Sequence, residues 1–323
     1  MTAISRQALI ADIGGTNARF AIGDIDELTI QHFVAFRSDA FASLPDAIRA
    51  YLNSVPYRPR MACLAMAGPT TGERLGLTNL PWSFTRVELR DATGCEHLHV
   101  VNDFEALAMA LPSLTAHDLA RIAGSEPVAD APKVVLGPGT GMGVAALVRA
   151  GQGWMPIGGE GGHVSFSPED PVEMDIVERM REAPGAHVSV ERMVSGPGLA
   201  RLHGVLRARG GAPVEPLSAQ DVVRRALSRS DLMAEAAVNH FVGWLGRFAG
   251  DMALVYGARG GVYLGGGIAP NLLDALDTPA FRSAFASKGR LSAYLEAVPV
   301  HVIKAADAGL KGAAIALAAK FPA

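Results

Sequence analysis

A carboxylate and an imidazole, Glu160 and His163, lie three residues apart among glycines 158, 159, 161 and 162. A carboxylate can accept hydrogen bonds from two neighbouring hydroxyls of a sugar, and an imidazole can donate or accept one. Two such side chains alone make a poor metal site. A surface turn would account for the glycines, but it explains less well why flexible backbone presents both groups together. The stretch is therefore a candidate site for sugar hydroxyls.

A second pair of polar residues, Asn102 and Asp103, follows an apolar run that ends at Val101, where a helical pattern begins. In open α/β sheets, ligands bind beyond the carboxyl ends of the strands, so Asp103 stands where a carboxylate could meet a substrate. An Asp at a helix start is also ordinary N-capping, and on this segment alone the cap is the favoured interpretation. Glu191, in a short helical stretch, would by itself be a solvated surface residue.

Three glycine clusters could bring backbone N–H groups close to an anion. The first lies within residues 12–19 between two apolar runs, and a hairpin turn and a phosphate loop explain it equally well. The second covers residues 137–143 and the third covers residues 265–267. The first two occupy matching positions and thus predict paired lobes that hold a polyphosphate from both sides. The third offers backbone that can lie against a nucleobase or a ribose.

Two series of strand-like segments must position these residues, since each of the first two loops lies between an opening and a returning strand. The first series comprises strands predicted at 8–13, 18–23, 29–36, 61–66 and 98–101, with helices at 44–52 and 103–111. The second comprises strands predicted at 133–137, 143–148, 153–157, 163–166, 261–264 and 300–304, with helices near 172–181, 189–194, 198–207, 218–229, 231–256 and 308–320. We expect residues 207–217 to form a surface loop, and the Gly-Pro-Gly at 196–198 to end the helix of Glu191.

The helix predicted at 231–256 carries one apolar stripe with alternating steps of three and four residues: Val238, Phe241, Leu245, Phe248, Met252 and Val255. Such spacing marks one face of a helix. We expect this face to pack in a core, and a dimer seam is the less favoured alternative.

Composition narrows the class of protein. The chain has 323 residues, 49% of them hydrophobic and 36 of them glycine, which suits a compact α/β protein of two domains. A net charge of −3 without a basic block argues against nucleic acid and anionic membranes as partners. The two cysteines lack metal-binding spacing, and the N-terminal segment lacks the apolar core of a signal peptide. No lysine follows a glycine, which excludes a Walker A loop, and no serine lies in a nucleophile elbow.

Seven motifs in register resemble the bacterial glucokinase family, of the hexokinase and actin-like ATPase superfamily. The resemblance covers about residues 8–315 and rests on Asp12–Arg19, Thr78-Asn79, Asn102–Phe104, Gly139–Gly143, Gly158–Val164, Glu191-Arg192 with Ser195–Gly198, and Gly265–Ile268. It implies a two-domain actin-like ATPase (ribonuclease H-like) fold with a cleft between the domains. Residues 1–112 and 304–323 would form a small α/β domain, and residues 113–303 a larger α+β domain.

The resemblance also implies ATP-dependent phosphorylation of D-glucose to glucose 6-phosphate, with Asp103 as the general base. The residues that match sugar-binding positions are Asn79, Asn102, Asp103, Glu160, His163 and Glu191. The residues that match nucleotide-binding positions are Ala11, Asp12, Ile13, Gly14, Gly15, Thr16, Asn17, Gly139, Thr140, Gly141, Gly265, Gly266 and Gly267. Pro138 has no N–H to donate to a phosphate, so Gly139 and Gly141 must supply that contact. Mg²⁺ is the implied metal, and no dedicated acidic cage is expected because Mg²⁺ relies mainly on phosphates and waters.

Two alternative functions stay open at this point. The chain could phosphorylate another hexose, such as mannose, fructose or an N-acyl amino sugar. It could also be a non-catalytic sugar-sensing protein of the same fold, although such a protein would be expected to lack the base. The first loop begins at residue 12, which leaves no room before it for a DNA-reading domain. The resemblance further implies a cytoplasmic homodimer.

Overall fold

The computed structural model describes residues 6–77 and 80–322. The strands in these ranges are β1 (Gln7–Ile13), β2 (Asn17–Asp24), β3 (Thr29–Arg37), β4 (Met61–Met66), β5 (Arg74–Leu77), β6 (Leu80–Thr85), β7 (His97–Asn102), β8 (Leu119–Ala123), β9 (Lys133–Pro138), β10 (Met142–Ala150), β11 (Gly153–Gly159), β12 (Val262–Leu264) and β13 (Val300–Ile303).

The helices are α1 (Leu44–Ser54), α2 (Arg86–Thr93), α3 (Asp103–Ala110), α4 (Pro171–Met180), α5 (Val190–Met193), α6 (Gly196–Arg209), α7 (Ala219–Leu227), α8 (Leu232–Tyr256), α9 (Leu273–Leu276), α10 (Pro279–Ala286), α11 (Ser292–Glu296) and α12 (Ala308–Lys320). The chain divides into two compact units. Unit 1 takes its described residues from Met1–Thr115, Trp154–Gly158 and Ala305–Ala323, and unit 2 consists of Ala116–Gly153 and Gly159–Lys304.

Unit 1 contains a sheet in which the described strands follow the order β3-β2-β1-β4-β7. The strands β1, β2 and β3 pair antiparallel, whereas β1, β4 and β7 run parallel. Ile13 pairs with Met66, and Met66 pairs with Asn102, so the last residues of the three parallel strands form one row. The loops that follow β1, β4 and β7 therefore leave the sheet at the same edge.

Two helices of unit 1 approach each other unusually closely, and small residues permit it. A Cβ atom on Gly312 of α12 would come within 1.8 Å of the backbone carbonyl oxygen of Ala106 in α3. The alanine-rich composition of α12 adds little bulk around this crossing. Because α3 begins at Asp103, the contact with α12 helps to fix the helix that carries this carboxylate.

Replacing Gly312 by Ala is expected to lower the free energy of unfolding by about 1–3 kcal/mol, since the new methyl group would force the two helices apart. Gly243 in α8 is the matched control, because its Cβ position meets no described atom within 4 Å apart from its chain neighbours and the adjacent backbone of its own helix. Gly243→Ala is expected to raise the free energy of unfolding by about 0.5–1 kcal/mol. Urea unfolding of both variants tests this, and effects of the same sign would contradict the close helix contact.

Unit 2 contains β8, β9, β10, β12 and β13, which belong to a sheet whose described strands follow the order β11-β10-β9-β12-β13-β8. The strands β9, β12 and β13 run parallel, and β10 pairs antiparallel with β9. The long helix α8 packs most of its predicted stripe into the core: Val238, Phe241, Leu245, Phe248 and Met252 are buried. The last member, Val255, is 68% exposed, so the predicted stripe ends one residue too late. No helix in the described ranges has the length and apolar character needed to cross a membrane.

The observed elements differ from the predicted ones at several places. Residues 163–166 do not form a strand; a short 3₁₀ turn, Gly161–His163, is followed by a single bridge between Ser165 and Ser189. Gly196-Pro197-Gly198 does not end the helix of Glu191, which stops at Met193, but begins α6 with Ser195 as the N-cap. Helix α6 also extends to Arg209, into the predicted loop. The sequence patterns do not predict β5, β6, α2, β8 and α9–α11.

Candidate functional site

The first glycine loop of unit 1 closes the hairpin between β1 and β2. The Gly14 N–H donates to the carbonyl of Asn17 at 2.9 Å, and the N–H of the buried Ser38 donates to the carbonyl of Thr16 at 3.0 Å. The Ser38 hydroxyl donates to the carbonyl of Gly14 at 3.0 Å. The stretch is thus a hairpin turn, and its contact with phosphate stays a prediction. The side chains of Ala11 and Ile13 are fully buried, so only their backbone could serve a nucleotide.

The acid that precedes this loop, Asp12, has a defined electrostatic environment. Its carboxylate accepts a hydrogen bond from Arg19 at 3.0 Å and is 21% exposed. A Cβ atom on Gly309, near the N-terminus of α12, would lie 3.1 Å from the carboxylate, so the positive end of the helix dipole faces Asp12. Burial raises the pKa of Asp12 above its ordinary value, while the positive charge and hydrogen bond of Arg19 act in the opposite direction.

The N-cap of α3 is Asn102, which corrects the interpretation of Asp103 as a cap. The Asn102 Oδ1 accepts hydrogen bonds from the backbone N–H groups of Phe104 at 2.9 Å and Glu105 at 3.2 Å. Asp103 is the first residue of the helix, and its Oδ1 accepts from the N–H of Phe104 at 3.0 Å. Because the capping function belongs to Asn102, the carboxylate of Asp103 is not needed to start the helix.

The sheet of unit 1 brings the first loop and Asp103 to the same edge. Neighbouring strands lie about 4.8 Å apart, so Ile13 and Asn102, two strands apart in one row, are separated by roughly 10 Å. The segment between them, which follows β4, carries no motif that the sequence patterns distinguish. Here the Ala67 N–H donates to the carbonyl of Ile13 at 3.0 Å, and the Asn102 amide donates to the carbonyl of Gly68 at 3.4 Å. In the structure, β4 is the parallel strand between β1 and β7, so the segment that follows β4 leaves the sheet between the first loop and Asn102.

Unit 2 brings the two predicted sugar-binding groups His163 and Glu191 together. The Nε2 of His163 lies 3.9 Å from Oε1 of Glu191, and the two side chains are 50% and 24% exposed. The His163 N–H donates to the carbonyl of Glu160 at 2.9 Å, so Glu160 lies one tight turn away and is exposed. His187, which the sequence analysis did not single out, forms a hydrogen bond between its Nε2 and the carbonyl of His163 at 3.0 Å.

The glycines around Glu160 and His163 permit close packing on β10. A Cβ atom on Gly162 would lie 2.1 Å from the carbonyl oxygen of Met142, and one on Gly161 would lie 3.1 Å from the side chain of Val144. A larger residue at position 162 would therefore push the turn away from the strand. The close approach fixes the turn that carries the carboxylate and the imidazole.

The second and third glycine clusters of unit 2 pack directly against each other. The Gly265 N–H donates to the carbonyl of Leu136 at 2.9 Å, and the Ile268 N–H donates to the carbonyl of Pro138 at 3.2 Å. Gly266 has φ +77°, and a Cβ atom there would lie 2.7 Å from the Pro138 carbonyl oxygen, so this position requires glycine. Gly267 accepts a hydrogen bond from the Asn271 side chain at 2.9 Å.

Like the N–H of Gly14, the N–H of a second predicted phosphate donor, Gly139, is already engaged. The Gly139 N–H donates to the carbonyl of Gly141 at 2.8 Å, and the carbonyl of Gly139 accepts from the N–H of Gly196 at 2.8 Å. A phosphate contact from Gly139 would require this short turn to open. Thr140 and Gly141 complete the turn between β9 and β10. Asn79, the remaining predicted sugar ligand, lies outside the described residues.

The donor set fits a magnesium ion that is held mostly by phosphates. Within residues 6–77 and 80–322, no group of three or more His, Cys, Asp or Glu side chains could hold a metal by itself. Mg²⁺ commonly binds through one or two carboxylates together with substrate phosphates and waters. Asp12, partly exposed beside the first glycine loop, is a carboxylate suited to that role.

Comparisons with known proteins show the family to which the chain belongs. The family model described as Glucokinase matches residues 9–320. A glucokinase from Tolumonas auensis is 39% identical over 318 residues, which cover 98% of this chain and 99% of that protein. The crystal structure of a glucokinase from an Antarctic psychrotroph has a TM-score of 0.81 at 38% identity and covers 97% of this chain and 98% of that one. A ROK family glucokinase from Streptomyces griseus, solved with glucose and AMPPNP, has a TM-score of 0.67 at 20% identity and covers 96% of this chain and 99% of that one.

The solved structures confirm the predicted fold class, the actin-like ATPase fold of the hexokinase-type sugar kinases. The family match spans the motifs from the first glycine loop to α12. On both grounds, the chain belongs to the glucokinase family.

Proposed function

We propose that the chain catalyses the ATP-dependent phosphorylation of D-glucose to glucose 6-phosphate, with Asp103 as the general base. The observation that carries the proposal is the row Ile13–Met66–Asn102, which brings a glycine loop and a carboxylate to the same sheet edge. The relative from Tolumonas auensis, which matches nearly the whole chain, supports the activity by its name. The structure solved with glucose and AMPPNP supports glucose and an adenine nucleotide as ligands.

In the proposed reaction, Asp103 accepts the proton of the glucose 6-hydroxyl while the oxygen of that hydroxyl forms a bond to the γ-phosphorus of ATP. The bond between the γ-phosphorus and the bridging oxygen breaks, and ADP leaves with that oxygen. The sugar hydroxyls would be held by Asn79, Asn102, Glu160, His163 and Glu191. Asn102 has a limited role here, because its Oδ1 already caps α3 and one amide N–H donates to Gly68, so only the second amide N–H is left for the sugar.

The nucleotide would be held by the backbone of the three glycine clusters. We propose that Gly14, Gly15, Thr16 and Asn17 contact the terminal phosphates, and that Thr140 and Gly141, with Gly139, contact them from the second loop. The backbone of residues 265–267 would border the adenosine. Asp12 would hold Mg²⁺ with the phosphates, and the chemistry supplied by the bound ion is neutralisation of phosphate charge. The positive end of α12 and Arg19 would favour the ionised form of Asp12 that this role needs, against the opposing effect of burial.

A coupled assay of several hexoses with ATP and with ADP as donors tests the activity. We expect glucose with ATP to give the highest kcat/KM. If mannose, fructose or an N-acyl amino sugar gives a higher kcat/KM than glucose, that sugar is the preferred substrate and the proposal of glucose is wrong. Sugar binding without any turnover would show a sensor rather than an enzyme. We also propose that the enzyme is a cytoplasmic homodimer, which sedimentation and cell fractionation would test.

Glu160→Gln is expected to weaken glucose binding by roughly 1–3 kcal/mol, because the amide presents one acceptor fewer to the sugar hydroxyls and leaves them incompletely paired. The matched control is Glu296→Gln, at an exposed position of α11. Glucose KM, kcat and Kd measured on both variants decide the matter. Unchanged KM and kcat for Glu160→Gln would remove Glu160 from the sugar site.

A further inference from the structure

Glu191 contacts both a proposed sugar-binding residue, His163, and the residue that follows the second glycine loop, Met142. Its Oε1 faces the Nε2 of His163 at 3.9 Å, and its Oε2 accepts a hydrogen bond from the backbone N–H of Met142 at 2.8 Å. Met142 is the first residue of β10 and directly follows the turn of Gly139, Thr140 and Gly141. One carboxylate therefore joins the proposed sugar site to the end of the second glycine loop.

The hydrogen bond to Met142 restrains a glycine-rich turn, whose own closing bond runs from the Gly139 N–H to the carbonyl of Gly141 at 2.8 Å. Two of the three turn residues are glycines, which lose the most conformational freedom when a backbone is fixed. Backbone bonds hold the other end, where Gly139 accepts from the N–H of Gly196 at 2.8 Å. A hydrogen bond to an ionised carboxylate is roughly twice as strong as one between neutral groups. The Glu191 carboxylate thus holds the backbone at Met142, the residue that directly follows the turn.

We propose that Glu191 is a positioning residue for the second phosphate loop, in addition to its proposed contact with the sugar. The inference rests on the proposed function, which assigns residues 139–141 to the phosphates of ATP. Nucleotide affinity then depends on Glu191 even when no sugar is bound. Because Glu191, His163 and Met142 all belong to unit 2, this dependence requires no movement between the two units.

The test uses the full-length protein without sugar and two substitutions, Glu191→Ala and Glu191→Asp. The first removes the acceptor, and the second withdraws it by one methylene while keeping the charge, which preserves a test if Glu191→Ala does not fold. The matched controls are Glu160→Ala, at the proposed sugar site, and Glu182→Ala, an exposed carboxylate that pairs with Arg192. Calorimetry with Mg-ADP gives the nucleotide Kd, and hydrogen exchange of the unliganded protein reports the Met142 amide.

Both Glu191 variants are expected to weaken Mg-ADP binding about tenfold and to speed exchange of the Met142 amide about tenfold. Both controls are expected to change either quantity by less than about twofold. Faster exchange with an unchanged Kd would overturn the proposal by showing that the 139–141 turn does not hold phosphate. Unchanged exchange, with or without a change in Kd, would overturn the positioning role and leave the assignment of the turn intact.

Discussion

Asp103→Asn is expected to lower kcat by about 10²–10⁴-fold or more, while the glucose Kd changes far less. The amide cannot accept the proton of the 6-hydroxyl, but it has nearly the same size as the carboxylate and keeps one acceptor oxygen. The fold should survive, because Asn102 caps α3 and Asp103 is only the first helical residue. The substitution therefore separates proton transfer from sugar positioning and from helix formation.

The decisive measurement is kcat and glucose Kd on the same purified, folded Asp103→Asn protein, with its melting temperature beside them. Asp91→Asn, at an exposed position of α2, is the matched control and should leave all three quantities unchanged. A second comparison is Asn102→Ala, which removes the cap and should cost about 1 kcal/mol of stability. Near-normal turnover of Asp103→Asn would remove the general base from the proposed mechanism.

The pair Asn102 and Asp103 shows what the sequence could and could not predict. The strand that ends here and the helix that follows were predictable, because an apolar run gives way to a helical pattern. The sequence could not predict which of the two adjacent residues caps the helix. Asn and Asp are nearly equal as caps, and moving the helix start by one residue leaves the apolar pattern unchanged. The chemical roles changed with that shift: the capping oxygen belongs to Asn102, and the carboxylate of Asp103 lies one residue further on.

The glycine clusters show a similar division. Their positions between strands were predictable from composition, but the packing of residues 265–267 on residues 137 and 138 was not. That contact joins segments more than 120 residues apart in sequence, and only the parallel pairing of β12 with β9 brings them together. The prediction that Gly-Pro-Gly at 196–198 ends a helix is wrong for a related reason. A proline is compatible both with the end of one helix and with the first turn of the next. Here Ser195 is the N-cap, so the segment begins α6.

The largest effect on stability is expected at Glu173, a residue of α4 that no local pattern distinguishes. Its Oε1 accepts a hydrogen bond from Nε1 of the buried Trp244 at 2.7 Å. Its Oε2 accepts from Arg247 at 2.9 Å and from the backbone N–H of Glu169 at 2.8 Å. The side chains of Glu173 and Arg247 are each 11% exposed, so this ion pair is largely removed from water and joins α4 to α8.

Glu173→Ala is expected to lower the free energy of unfolding by roughly 3–5 kcal/mol, because it leaves the Trp244 indole N–H without an acceptor and the largely buried Arg247 charge with only an exposed carboxylate, Glu169, as its partner. Glu169 offers a matched control, since it pairs with the same Arg247 at 2.9 Å but is 59% exposed. Glu169→Ala should therefore cost no more than about 1 kcal/mol. Urea unfolding followed by tryptophan fluorescence compares the two.

Combining Glu173→Leu with Arg247→Leu should recover part of the loss, because neither the Glu173 carboxylate nor the Arg247 guanidinium is then left buried without the other. The unpaired indole N–H of Trp244 should account for the remainder. Equal losses for Glu173→Ala and Glu169→Ala would mean that burial of the ion pair does not set its contribution.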